Sequence, residues 1–576
     1  LFDTPVIGAE VYKSVDGGLT WSKQNDEYLD AVYNSYGYYF GRIHVSPTDS
    51  DQIYIYGVPI LKSNDSGKTY KRIGASNVHV DHHDLWINPK NTNHLVLGND
   101  GGVNISYDQG NNWIKLNQPS VGQFYAINVD NSDPYNVYGG LQDNGVWMAK
   151  NTSVESPSWY ESGHNNWTKI MGGDGMQIQI DSRDNNIVYT GLQFGNYYRL
   201  NLSDGGRKNI KPKHKLGDSP LRFNWQTPIL ISPHNQDIVY FGSNKLHRSF
   251  NRGDQWEEIS SDLTNGGKKG NVPYGTLTSF DESYFQFGKI VAGSDDGIIS
   301  LTEDSGKSWK VINDKLPSDL WVSRVIFSKH DENTIYLSLN GYRYNDFKPY
   351  VFVSKDNGTN WQDISSNLPL SPVNVIREDI NKKQILYVGT DNGVFVSFDS
   401  GNQWHPFEST LNRVAVHDLV IQPEKNELLV GTHGRSIYKT KLNVFTHFLN
   451  EHNQNKNLTI FKIDDIRHSS SWGRTINYSD EVIKTLIEAT VYSNQATTSN
   501  YSITDKDNNI LNQGELELDK GFNLVEIMPV INTSLNEKKL KKMGLSSKKS
   551  DDGNIYLSKG EYRLNISDFS RDFLVK

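Results

Sequence analysis

One short motif returns along most of this chain, and recurrence at its spacing leaves few folds open. The motif is Ser-x-Asp-x-Gly-x-x-Trp, first met as Ser14-Val-Asp16-Gly-Gly18-Leu-Thr-Trp21. Further copies end at Tyr70 (Ser63, Asp65, Gly67), Trp113 (Ser106, Asp108, Gly110) and Trp256 (Ser249, Asn251, Gly253). The last three end at Trp309 (Thr302, Asp304, Gly306), Trp361 (Ser354, Asp356, Gly358) and Trp404 (Ser397, Asp399, Gly401). The aromatic positions step by 49, 43, 143, 53, 52 and 43 residues. The long step is three periods, so two units near 125–210 keep their strands and lose the motif. A period of roughly 48 residues without helical patterning predicts one four-stranded blade per repeat, hence a β-propeller. Ser and Asp satisfy backbone N–H groups in a tight hairpin, and Gly takes the positive-φ position. Six of the 13 tryptophans close such boxes and are read as packing residues between blades, not as ligand platforms.

Each unit also carries an inner strand, expected at 84–88, 126–129, 177–180, 229–232, 325–328 and 419–422, followed by a second strand and a Gly-rich loop. Nine units are counted from about 39 to 442, with a partial one in front, because 11–21 supplies only a third strand and a box. The chain begins at Leu1 with no visible signal peptide, so it reads as an internal or processed fragment. After Lys441 the periodicity stops. Strands expected at 490–492, 501–504, 515–518, 523–527 and 561–566 read as a small immunoglobulin-like sandwich over 443–576. The Lys/Ser-rich stretch 536–552 reads as a mobile loop.

Composition removes whole classes of function. Lys and Arg number 58 against 67 Asp and Glu, a net charge of −9 with no long basic run, so nucleic acid is not an expected partner. There is no cysteine, which excludes disulfides, thiolate metal sites and cysteine nucleophiles. No stretch approaches 18 consecutive apolar residues, so no transmembrane helix is expected. No cofactor is expected.

The boxes at 14–21, 354–361 and their repeats resemble those of BNR or Asp-box propellers. With about ten units, residues 8–442 are similar to sortilin-like propellers and their bacterial glycosyl-hydrolase-like relatives. The resemblance implies an all-β Asp-box propeller of about ten blades followed by the sandwich, and an extracytoplasmic location on a bacterial surface or in an outer-membrane assembly. It does not choose a function: sialidases, xyloglucanases, photosystem assembly factors and peptide-binding sortilin share the motif. It does imply that the boxes lie on the face opposite the usual ligand site.

The loops joining second to third strands, and one blade to the next, form a different population. They carry His79, Asp81, His83, Asp100, Gln142, Asp143, Asp174, Gln193, Trp225, Asp296, Trp321, Arg324, Arg377, Asp391, His433 and Arg435. The plain alternative is that Gly-Asx-Gly loops are good turns. On a strand, His79, Asp81 and His83 would share one face and offer a metal set, but three ligands on one strand rarely close around one ion, so no metal is assigned. Asp143 and Asp174, in adjacent blades, are the pair expected to act if the chain hydrolyses glycosides, which needs two carboxylates across the scissile bond. Trp159, Tyr160 and Trp167 in the insert 151–169 would then stack on sugar rings. In the other reading the chain binds a peptide, protein or glycan, with Arg324, Arg377 and Arg435 holding a carboxylate. No nucleophile elbow and no His-Glu-x-x-His is present. Binding is the favoured reading and glycoside hydrolysis the alternative.

Overall fold

The computed structural model describes residues 9–576 apart from 30, 34–38, 117–120, 154–165, 268–273, 408–410, 412, 451–456, 464, 477–480, 534 and 536. The expected ring-stacking residues Trp159 and Tyr160 lie outside the described residues. Eight four-stranded antiparallel sheets cover 42–72, 82–116, 124–171, 179–209, 229–258, 277–311, 321–363 and 373–406, and a three-stranded sheet covers 416–441. A hairpin of Tyr12–Lys13 and Ser22–Lys23 precedes them. Each of the nine is a plain up-and-down meander, the blade of an Asp-box β-propeller, and the sheets 124–171 and 179–209, like the three-stranded sheet 416–441, carry no box.

The boxes explain how each blade is tied. In every copy the hydroxyl accepts the box glycine N–H at 2.8–3.0 Å, as Ser354 does from Gly358 and Thr302 from Gly306. The carboxylate accepts the N–H four residues on, as Asp65 does from Thr69 at 2.9 Å. Two successive residues turn left-handed, such as Ser305 and Gly306 at φ +64° and +89°, which a glycine adopts without strain. The indole N–H then leaves the blade. Trp113 donates to Ile73 O, Trp256 to Ile210 O, Trp309 to Ile259 O, Trp361 to Ile312 O and Trp404 to Ile364 O, all at 2.7–2.8 Å. Four of these acceptors (Ile73, Ile259, Ile312, Ile364) lie three residues after the previous box aromatic and are buried. Box and acceptor together form a ladder from blade to blade.

The chain divides into two compact units. The first holds Leu1–Glu258, Gly266–Thr276 and Gly434–Ser436; the second holds Ile259–Asn265, Leu277–His433 and Ile437–Lys576. In the second unit the first strands Leu277–Glu282, Trp321–Phe327, Val373–Glu378 and Val416–Gln422 lie side by side, and the sheets bury apolar clusters such as Val291, Ile299, Val322, Val325 and Leu337. The fourth strands, such as Lys310–Val311 and Gln362–Asp363, are exposed.

Residues 458–575 form two sheets, one of Leu458–Ile463, Ile487–Ser493 and Gly521–Ile527, the other of Ile510–Leu518, Thr497–Asp505, Gly560–Ile566 and Phe569–Val575. They enclose one core that includes Ile487, Val491, Ile503, Leu564 and Phe573. The first and last strands were not read from the sequence. The stretch expected as a loop over 536–552 contains a short helix, Glu537–Lys542, because Leu540 turns inward and is buried while its lysine neighbours stay out. Helix Asn443–Asn450 joins the sandwich to the last blades: Phe445 and Phe448 pack with Tyr387, Phe398 and Phe407 on one side and Phe461, Tyr492 and Phe522 on the other.

Candidate functional site

A bulge at the same step of the first strand places the polar residues. The register skips one residue at His83, Tyr125, Thr278, Ser323, Asn374 and His417. A bulged residue is released from the ladder and its side chain is re-aimed. Three of these side chains reach the neighbouring blade: Thr278 donates to Val322 O at 2.7 Å, Ser323 to Val373 O at 2.8 Å and Asn374 to Val416 O at 3.3 Å. The others meet the loop between their own blade's second and third strands. His83 Nε2 lies 2.5 Å from Asp100, Tyr125 donates to Gln142 Oε1 at 3.0 Å, and His417 stacks on His433 with centroids 4.4 Å apart.

In the first unit this geometry gathers carboxylates. Asp174 is buried; its Oδ1 accepts the Asp143 backbone N–H at 2.5 Å and its Oδ2 accepts Gln193 Nε2 at 2.8 Å. Asp143 sits at φ +60°, and its carbonyl lies 3.0 Å from His79 Nε2. Partial burial, then the neighbouring Asp174 and Asp100, push its carboxyl up to about 6. The same causes, burial and then Asp100, raise Asp81. Residues 79–81 precede the strand His82–Ile87, and Asp81 is left-handed at φ +64°, so His79, Asp81 and His83 do not alternate along one strand face. Among the described residues no group of three or more His, Asp or Glu side chains is arranged to hold a metal ion. Trp225 is partly exposed and edges onto Phe194 at 5.1 Å. Arg435 belongs to the turn 434–436, where Gly434 N and Ser436 N donate to Gly122 O.

In the second unit the same strand positions gather guanidiniums. Arg324 and Asp418 each follow a bulge directly, and Arg377 lies two residues further along its strand. Arg324 and Arg377 both donate to Asp418 Oδ1, at 3.1 and 3.0 Å, and Asp418 is buried. Arg377 also donates to Leu419 O and Ile376 O. Among the described residues Arg324 Nε has no hydrogen-bond partner. Burial, then the adjacent Arg377, pulls the Arg324 guanidinium down to about 10 against the opposing pull of Asp418. Asp391 accepts from Asn374, which accepts from Asn340. Asp296 is buried in its own turn, accepting from Ser294 Oγ and Asn265 N. Trp321 is covered by the Arg343 guanidinium at 3.9 Å.

Sequence reasoning thus named Arg324 and Arg377 but missed Asp418 between them and the contact of Arg343 with Trp321. The signal for Asp418 was available: it follows His417 as Arg324 follows Ser323, one residue past the bulge.

Residues 349–520 match the family model described as sortilin, neurotensin receptor 3. No curated protein matches the chain. Among solved structures, the chain is similar to PorZ, described as an essential bacterial surface component of the type-IX secretion system of Porphyromonas gingivalis: 13% identity, 98% of this chain, 73% of that one, TM-score 0.44. It is similar to the GH74 enzyme of Niastella koreensis at 13% identity, covering 85% and 86% of the two chains with TM-score 0.25. YCF48 bound to D1 peptide gives 11% identity, 69% and 95% coverage and TM-score 0.29. The chain resembles the sortilin-like Asp-box propellers, and the roles of its site residues rest on their own geometry.

Proposed function

We propose that this chain is an extracytoplasmic ligand-binding or scaffold propeller, taking a peptide, protein or glycan on its loop face. On this reading residues 1–442 form the propeller domain and 443–576 a sandwich domain that covers the last blades. The observation that carries the reading is the pair Arg324 and Arg377 on a single carboxylate oxygen. The two guanidiniums share the buried Asp418 and also feel the nearby Asp281 carboxylate, so an incoming anion would draw on N–H groups that no carboxylate takes, such as Arg324 Nε. No residue there has the geometry of a nucleophile with its base. Absence of cysteine is compatible with an extracytoplasmic location.

One observation favours the hydrolase alternative: a carboxyl raised to about 6, as Asp143 is, suits a general acid. Its expected partner does not suit the role, because both oxygens of Asp174 already serve a turn. The test is retention of carboxylate-terminated peptides at two salt concentrations, beside an oligosaccharide hydrolysis assay. Salt-sensitive binding lost in Arg377→Gln, without turnover, is expected; hydrolysis abolished by Asp143→Asn or Asp174→Asn would establish the enzyme instead.

A further inference from the structure

The second-to-third strand connection after Gly341 differs from its counterparts. In neighbouring blades this connection is a tight Gly/Asx turn, such as Thr390-Asp-Asn-Gly393. Here it is a longer hairpin, Gly341-Tyr-Arg-Tyr-Asn-Asp-Phe-Lys-Pro349, containing one turn of 3-10 helix over Tyr342–Tyr344. Tyr342 N donates to Asn340 Oδ1 at its start, and Asn345 at φ +59° closes it. Tyr342, Tyr344 and Phe347 are exposed by 46, 57 and 48%, although burying each ring would be favourable. Long loops carrying exposed aromatics are where recognition concentrates.

Within this hairpin the Arg343 guanidinium lies over two rings, 3.9 Å from the Trp321 ring centroid and 4.7 Å from that of Tyr342. A cation–π contact of this kind does not consume the guanidinium's N–H donors. Among the described residues the Arg343 guanidinium makes no hydrogen bond and no ion pair. The hairpin's one carboxylate does not neutralise it: Asp346 accepts Tyr350 Oη at 2.6 Å and Lys348 N at 3.1 Å. A guanidinium oriented by two aromatic rings and lacking a counter-ion is a preformed half of a bidentate carboxylate pair.

We propose that Trp321, Tyr342 and Arg343 form a binding point for an acidic side chain of an extended partner peptide, with Tyr344 and Phe347 packing against its neighbouring residues. The inference rests on the binding reading above but uses different residues from Arg324 and Arg377. Local charge favours this occupant: the hairpin carries Arg343 and Lys348 against the engaged Asp346, so it is basic on a chain whose net charge is −9. A neutral sugar would use the aromatic rings and leave the guanidinium edges unmatched.

The test is fluorescence anisotropy of two labelled, end-capped peptides, tetraglutamate and tetraglutamine, with the full chain at low salt. Glutamate-specific, salt-sensitive binding is expected, weakened at least tenfold in Arg343→Gln. Arg343→Lys should lose most of it, since an ammonium neither stacks flat nor pairs bidentately. The Arg343 guanidinium ties no other part of the chain by hydrogen bond or ion pair, so the variants should melt at the wild-type temperature. No binding by the wild-type chain, equal binding of the glutamine peptide, or undiminished binding in Arg343→Gln would each overturn the inference. If Arg377→Gln abolishes binding and Arg343→Gln does not, this inference fails while the function proposed above stands.

Discussion

Compare the carboxylates of the first unit with the guanidiniums of the second. Both sets sit on the first strands of blades or in the loops beside them, and both look from sequence like the lining of a site. In the first unit two of the carboxylates are answered nearby, Asp174 by the Asp143 amide and Gln193 and Asp100 by His83, while acidic neighbours raise Asp143 and Asp81. In the second unit Arg324 and Arg377 share one oxygen of Asp418 with the Asp281 carboxylate nearby, while Arg343 rests on aromatic rings alone among the described residues. Short acidic side chains in Gly-rich loops reach their own backbone and become turn structure. Long cationic side chains reach past it, and where no acid meets them among the described residues, as at Arg343, the proposed ligand would bind.

That contrast can be broken most severely at Asp418. Asp418→Asn removes the charge shared by two part-buried guanidiniums and is expected to cost about 3–5 kcal/mol, read as a lower denaturant midpoint. Adding Arg324→Met should recover part of the loss; a neutral result for Asp418→Asn alone would show that solvent already screens the pair. At Asp174 the effect should be smaller. Asp174→Ala leaves the Asp143 N–H and the Gln193 amide without acceptors and should cost about 1–3 kcal/mol. Asp174→Asn should be nearly neutral, because the Gln193 amide can turn and present Oε1, which has no partner among the described residues. A large loss in the asparagine variant would mean that the charge itself matters there.

The smallest effect is one of pH. The Asp143 carboxyl is raised in the fold to about 6, so the native state binds its proton more tightly than the unfolded chain. Its contribution to stability is complete below about pH 4 and is lost as pH rises through about 6. The box aspartates Asp16, Asp65 and Asp304 are held at about 2, chiefly by hydroxyl donors four residues on, so their contribution has the opposite sign and disappears as pH falls from about 4 towards 2. Melting temperatures from pH 7 to 5 should therefore rise in the wild-type chain relative to Asp143→Asn. A parallel pair of curves would remove the carboxyl coupling.

The fold was legible because the box is local: eight residues contain the whole hydrogen-bonded turn, and its spacing reports the blade. The two sheets after residue 458 were read only in part: the connection before Phe569–Val575 is Ser567-Asp568, not one of the glycine-containing pairs that announce a hairpin. The site was less legible still. Arg324 and Arg377 stood out by type, but Asp418 stands in a strand among apolar residues, and its pairing depends on bulges that move the register by one. The stacking of Arg343 on Trp321 joins a loop to the first strand of its blade, a relation that residue type alone does not encode. The 79–83 run misled in the opposite direction, its apparent alternation broken by a left-handed Asp81.

The most direct measurement is calorimetric titration of the end-capped tetraglutamate peptide into the chain carrying both Asp143→Asn and Asp174→Asn. If the carboxylates only hold their loops and the guanidinium-rich region takes the ligand, the isotherm should match that of the unmodified chain. Loss of binding in the double variant would contradict the account and make the loops that Asp143 and Asp174 hold part of the ligand's site.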